Sequence, residues 1–186
     1  MTRHRSVQPM DLPKLRKSSL RITGENISVR TPRLCDCLAL DHLLCTDAEL
    51  IRLGIGANDV PSQTGKSFRD ATEAWCVRTN SVSLAVVDRN DRAFGLISLS
   101  HIDDSERTGG IGYWIGSDYW GQGYGTESFA LVLSLARKLG ITSVSATINK
   151  NNTPSIRLWS HHNATIADLP GDRVRCTINL ESSSSM

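Results

Sequence analysis

The chain has 186 residues, 39% of them hydrophobic and 22% charged, which is enough for one ordinary globular core and short for two. No apolar run approaches the ~20 residues that span a bilayer, and no apolar segment follows the charged N-terminus as it does in a signal peptide. These features argue against a membrane or secreted protein and predict a soluble, cytoplasmic one.

Residues 1–24 hold six Lys/Arg against one acid, Asp11, leaving 15 bases and 18 acids for the rest of the chain. With Pro9 and Pro13 in it, this stretch is expected to be a basic flexible N-terminal arm, either simply solvated or touching RNA, a ribosome or an acidic partner. The domain proper is then expected over 25–181, with a Ser-rich disordered tail at 182–186. Ile27 to Thr31 alternates apolar and polar residues and stops at Pro32, which predicts a first strand. Leu40, Leu43, Leu44, Leu50 and Leu53 recur at helical intervals, and Asp47 among them suits a new helix start.

Cys35, Cys37, His42 and Cys45 are zinc-ligand types, but their spacing is not that of a zinc site and no second ligand pair follows, so no metal is expected. The five cysteines read as reduced thiols. Gly54 to Gln63 reads as a loop, and Phe68, Ala71, Trp75 and Val77 as a helix. Thr64-Gly65-Lys66-Ser67 looks like the end of a nucleotide phosphate loop, but Val60 stands where that loop needs glycine. Leu84 to Val87, Ala93 to Ile102 and Gly110 to Gly116, separated by polar turns, predict three consecutive antiparallel strands.

The third of these strands runs into Ser117-Asp118-Tyr119-Trp120-Gly121-Gln122-Gly123-Tyr124-Gly125-Thr126-Glu127 and then a breaker-free apolar run, Phe129 to Leu139. Phe129, Val132, Leu133 and Ala136 sit at helical spacing, Arg137 and Lys138 fall in the last turn, and Gly140 stands just beyond. The segment is strand, glycine turn, helix. A helix N-terminus exposes unpaired N–H groups and partial positive charge, and glycines let an anion approach the backbone. With no Lys or Arg between 117 and 128, a diphosphate here would rest on backbone N–H groups from Gln122 to Thr126. The dinucleotide fingerprint fits poorly, because Thr126 replaces its third glycine and no acid stands at Ser145 or Ala146. Downstream, Val144, Ala146 and Ile148 alternate with Ser143, Ser145 and Thr147 as a strand, and Pro154 opens a short helix that Asn163 ends.

The run from Ile111 through Glu127 resembles the acyl-CoA loop of the GNAT superfamily, in its RimJ/RimL-like branch of N-acetyltransferases. The resemblance extends to Arg30-Thr31-Pro32-Arg33-Leu34 upstream and to Asn152-Thr153-Pro154-Ser155-Ile156-Arg157-Leu158-Trp159 downstream, covering about residues 26–181. Trp120 stands where Gln or Arg is commonest, and Asn163-Ala164 replaces a usual Gly-Phe pair.

The resemblance implies a single α/β (α+β) domain: a mixed, mostly antiparallel sheet of six to seven strands flanked by helices, splayed at the two strands that hold the CoA arm. It implies acetyl-CoA as co-substrate and transfer of its acetyl group to a primary amine, by direct attack in a ternary complex. The acceptor is left open between a protein N-terminal α-amine and a small amine such as a polyamine or aminoglycoside. Cofactor contacts are expected from Trp114, Ile115, Gly116, Trp120, Gly121, Gln122, Gly123, Tyr124, Gly125, Thr126, Asn152 and Ser155. Ser155 aligns with the hydroxyl that can protonate the departing CoA sulfur, its other reading being a first-turn serine that bonds its own helix, as Asn152 is also readable as a plain N-cap; Tyr113 joins Ser155 as a catalytic candidate, with core packing as its other reading. No carboxylate lies in 109–116, so His101, Asp103 and Glu106 are the candidates for a base, each also readable as an exposed turn residue. Two other readings are a CoA-binding module without turnover and a homodimer that uses Trp159 and the C-terminal strand.

Overall fold

Alternating apolar positions make the strands, and in the computed structural model they join into one eight-stranded sheet. The structure describes residues 11–56 and 64–181. In chain order the elements are α1 (Leu12–Lys17), β1 (Arg21–Thr23), β2 (Ser28–Arg30), α2 (Leu34–Thr46), α3 (Ala48–Arg52), α4 (Lys66–Arg78), β3 (Val82–Val87), β4 (Ala93–Asp103), β5 (Thr108–Ile115), α5 (Tyr124–Lys138), β6 (Ser143–Asn149), α6 (Thr153–His161), β7 (Thr165–Leu169) and β8 (Arg173–Asn179). The sheet order is β1-β2-β3-β4-β5-β6-β8-β7, and every pairing is antiparallel except β5 with β6.

The expected class holds, with one strand more than expected. The extra strand and α1 both come from the stretch read as a flexible arm, and this corrects that reading for residues 11–24. Leu12 is buried in the main core, and β1 pairs with β2 from Arg21↔Arg30 to Thr23↔Ser28. A three-residue strand and a six-residue helix are too short to announce themselves by periodicity. Among the described cations of the stretch, Arg16 donates to the Ser81 carbonyl at 2.8 Å and Arg21 pairs with Asp91 at 2.8 Å. Residues 1–10 of the arm, the 182–186 tail and 57–63 of the loop lie outside the described residues.

The sheet's two faces differ. Val82, Leu84, Val86, Ile97, Leu99, Ile111, Val144, Cys176 and Ile178 point to a large core closed by α5 and α6 through Phe129, Val132, Leu133, Ala136 and Trp159. Burying Phe129 alone is worth ~2–3 kcal/mol. Trp159, fully buried with its ring 5.0 Å from Phe129, is unavailable to a subunit interface, which corrects that expectation. On the opposite face a smaller cluster of Leu40, Ala85 and Val87 packs with Phe68, Leu96 and Trp114 under α2 and α4.

Helix ends follow local chemistry. Ile141 N–H bonds the Ala136 carbonyl beyond Gly140 (φ 78°), which closes α5 in a Schellman turn. Asn163, at φ 59°, ends α6 in the left-handed geometry its side chain tolerates. The Arg30-Thr31-Pro32-Arg33 stretch anchors α2. The Arg30 guanidinium grips both oxygens of buried Asp36 and reaches Asp91, while Asp36 also accepts the Arg33 N–H at 2.6 Å. Thr64–Ser67 serves as the start of α4, with Gly65 at its N-cap and Lys66 paired to Asp70 at 2.6 Å.

Candidate active site

The one parallel pairing is short. β5 and β6 are registered at Thr108↔Ser143, Gly109↔Val144 and Gly110↔Ser145 and no further, so the strands part from Ile111 and Ala146 onward. A gap opens in the middle of the sheet. β5 keeps its pairing to β4 as far as Gly95↔Ile115, and the Gly116 N–H bonds the Phe94 carbonyl at 2.8 Å. Because backbone groups alternate along a strand, Trp114 then faces β4, while the N–H and C=O of Tyr113 and the N–H of Ile115 aim into the gap. The Ile115 carbonyl is taken by the Trp120 indole N–H at 2.7 Å. The contacts expected of Trp114, Ile115 and Gly116 therefore resolve. Ile115 presents its amide to the gap, whereas Trp114 sends its side chain into the α2/α4 cluster and Gly116 hydrogen-bonds to β4.

At the gap's mouth the chain makes a short 3-10 turn, Ser117–Tyr119, and the glycine turn. Asp47, the N-cap of α3, holds this corner by accepting the Ser117 N–H at 2.7 Å as well as the N–H groups of Glu49 and Leu50. Burial alone would raise the Asp47 carboxyl, but these bonds outweigh it and hold it below the ordinary carboxylate range. Gln122 donates to the Asp118 carbonyl at 3.0 Å, and Phe94 stacks on Tyr119 at 4.3 Å and lies 5.3 Å from Tyr124. From the other side Glu127 accepts the N–H of Asn26 at 2.8 Å and tethers α5 to the β1–β2 turn.

Gly121 and Gly123 have φ of 72° and 81°, which only glycine adopts freely. Gly125 is different. It lies in the first turn of α5 with ordinary helical φ, and a Cβ there would meet nothing within 4 Å. Among the described residues nothing requires glycine at that point, although glycine disfavours helix by up to ~1 kcal/mol against alanine. The bare backbone of Gly121, Gly123 and Gly125 instead borders open space at a helix N-terminus, the arrangement that accepts a phosphate.

Of the three catalytic candidates, two meet. Tyr113 from β5 and Ser155 from α6 share a hydrogen bond of 2.8 Å between their hydroxyls. Burial pushes the Tyr113 phenol above its ordinary value, the bond to Ser155 offsetting part of the rise. Tyr113 therefore stays protonated through neutral pH. Its ring stands edge-on to Phe129 at 5.9 Å, on the α5/α6 face. Asn152 caps α6, accepting the Ser155 N–H at 3.2 Å. His101 joins neither group. It lies in a β-bulge between Ser100 and Asp103 with φ 49°, beside Trp75 of α4, at the rim of a groove on the opposite face of the sheet. Asp103 is engaged by Ser105 and Glu106 within its own turn. The roles of Asp47 and Glu127 as tethers were not read from the sequence, where Asp47 showed only as a helix start.

Among the described residues no group of three or more His, Cys, Asp or Glu is placed to hold a metal ion. Cys35 is exposed while Cys37 is buried, and burial pushes the Cys37 thiol up to about 11.

A mixed sheet parted beside a glycine turn that opens a helix defines the class of α/β protein to which this chain's fold belongs. The sequence pattern of the acetyltransferase (GNAT) domain matches residues 26–164, and the chain belongs to that family of acetyltransferases. An N-acetyltransferase from Bacillus licheniformis, p20, named as uncharacterized, is 28% identical over 74 residues, which cover 39% of this chain and 42% of that protein. The fold matches Mycobacterium smegmatis RimJ in complex with CoA-disulfide at a TM-score of 0.68 and 15% identity, over 85% of this chain and 84% of that one. It likewise matches RimL, a ribosomal L7/L12 alpha-N-protein acetyltransferase in complex with coenzyme A, at 0.70 and 16% identity, over 86% and 98%. At such identities the likeness is one of fold.

Proposed function

We propose that this protein binds acetyl-CoA in the β5–β6 gap and transfers the acetyl group to a primary amine by direct attack. The observation that carries this reading is Gly125, a helical glycine that no contact among the described residues requires, facing open space beside the gap. The diphosphate takes the N–H groups from Gln122 to Thr126, and the pantetheine arm lies along β5 as an added strand, paired to the free amide groups of Tyr113. Asn152 keeps its side-chain N–H₂ for the arm while its oxygen caps α6.

A neutral amine attacks the thioester carbonyl, whose oxygen is polarised by the Ile115 N–H. The new C–N bond forms as the C–S bond breaks, and the thiolate takes a proton from the Ser155 hydroxyl, which Tyr113 in turn holds in place. The proton lost by the amine restores the hydroxyl, so the net products are the amide and free CoA thiol. The groove at His101 lies on the other face, which allows amine and cofactor to approach from opposite sides of the gap. Five free cysteines suit a reducing, cytoplasmic setting. Calorimetric titration with acetyl-CoA, followed by thiol release with a panel of amines, tests the reading; an absence of acetyl-CoA binding would refute it.

A further inference from the structure

The helix-covered faces account for most of the sheet, but one face continues past α2 and α4 as an open groove of about 740 Å³. Its floor is a belt of small and hydroxyl residues directly opposite one another in the ladders. Ser100 faces Gly110, Gly110 faces Ser145, Ser145 faces Thr177 and Thr147 faces Arg175. This is the face on which Leu96 and Trp114 make the apolar cluster, two residues along the same strands. Strand alternation therefore switches from apolar to hydroxyl where the helices end, which is the pattern of a floor that meets a polar ligand rather than a core. The groove sits where β5 and β6 part, so it opens onto the gap from the side opposite Tyr113 and Ser155.

Its charge is not that of a site for polycations. Among the described residues lining it there is no carboxylate, and the cation is Arg175. Arg175 is exposed and, among the described residues, its side chain makes no hydrogen bond or salt bridge. Arg173, two residues along β8, has the same face. Asp168, the acid of the neighbouring strand β7, alternates to the other face and pairs with Lys150 at 2.7 Å. The carboxylates of Asp103, Asp104 and Glu106 lie at the far end, on the exposed turn beyond Thr108. The groove thus runs from His101, with those carboxylates outside its lining, to a basic end on β8.

Resting on the acetyltransferase reading, we infer that the acceptor is an amine that carries its own anion, a carboxylate or phosphate a few bonds from the nitrogen, and not a polyamine or aminoglycoside. Arg175 is the specificity-determining residue. It receives the anion while the amine points toward the gap and the hydroxyls of Ser145, Thr147 and Thr177 hydrogen-bond the body of the acceptor.

The test uses the full-length protein, acetyl-CoA and matched acceptors: the dipeptide amides Ser-Glu, Ser-Gln and Ser-Lys, whose α-amines titrate alike, glucosamine with glucosamine 6-phosphate, and spermidine. The expected result is kcat/KM for Ser-Glu or for glucosamine 6-phosphate at least tenfold above its uncharged counterpart, with spermidine lowest. The pair that responds distinguishes a peptide carboxylate from a sugar phosphate. Arg175→Gln should raise KM for the anionic acceptor about tenfold with little change in kcat, and Arg175→Glu should invert the Ser-Glu over Ser-Lys preference. Equal or faster turnover of Ser-Lys or spermidine, or no turnover of any anionic acceptor by a protein that binds acetyl-CoA, overturns this inference and leaves the cofactor site standing. Failure to bind acetyl-CoA in the parallel titration overturns both.

Discussion

Replacing Gly125 by alanine separates what the chain needs from what its ligand needs. The residue sits in the first turn of α5, at ordinary helical φ, with no atom within 4 Å of a built Cβ. The substitution therefore adds helix propensity without a clash. An interior Gly→Ala exchange is worth ~0.8–1 kcal/mol, and about half of that is reasonable at a first turn. For a domain of this size, 0.5 kcal/mol corresponds to a rise in Tm of roughly 1–2 °C. The methyl group also occupies the space from which a phosphate oxygen reaches the helix N-terminus. Losing one charge-assisted hydrogen bond costs ~1.5–3 kcal/mol, which is roughly tenfold to a hundredfold in the Kd for acetyl-CoA. Gly125→Asp sharpens the contrast, since an acid in the first turn favours the free helix and repels the diphosphate. Thermal unfolding without ligand and calorimetric titration with acetyl-CoA give the two numbers. A variant that loses stability, or that keeps wild-type affinity, would refute the argument that the glycine is there for a ligand.

Other expectations follow from the same geometry. Ser155→Ala and Tyr113→Phe should each lower kcat at least tenfold while acetyl-CoA affinity by titration stays within about twofold, and the double variant should be little worse than the poorer single one because the two hydroxyls act as a unit. Asp47→Ala removes the α3 cap and the tether to Ser117 and should lower stability by ~1–2 kcal/mol, read by chemical denaturation. Burial, followed by the neighbouring His161, holds the His162 pKa below its ordinary 6.5, so the folded protein binds fewer protons than the unfolded chain just under that pH. Its contribution is present above about pH 6.5 and is lost as pH falls toward the lower folded pKa. Tm measured from pH 7 to 5 should decline, and His162→Phe, keeping the stack on Phe129, should flatten that decline.

The likeness to RimJ and RimL shows a shared fold, and the acceptors of those enzymes are properties of their own surfaces. In this chain the surface we propose for the acceptor is the hydroxyl face of β4, β5, β6 and β8.

The amino-acid sequence alone determined what depends on neighbours along the chain. The β3–β4–β5 meander, the glycine turn, the ends of α5 and the left-handed cap at Asn163 are written in alternation, helical spacing and residues with special φ. The missed pieces are those whose stability is borrowed from distant partners. α1 and β1 are too short for any period and exist because Leu12 finds the core and β2 offers an open edge. Trp159 looks the same in sequence whether it faces solvent or Phe129. The site itself is of this second kind. Tyr113 and Ser155 are 42 residues apart, and only the sheet brings their hydroxyls together. Where β5 and β6 part depends on parallel pairing that stops after Gly110↔Ser145, and which face of β8 Arg175 takes depends on the antiparallel register that sets it opposite Thr147. Local chemistry specifies elements, whereas the register between strands remote in sequence decides which of their side chains meet.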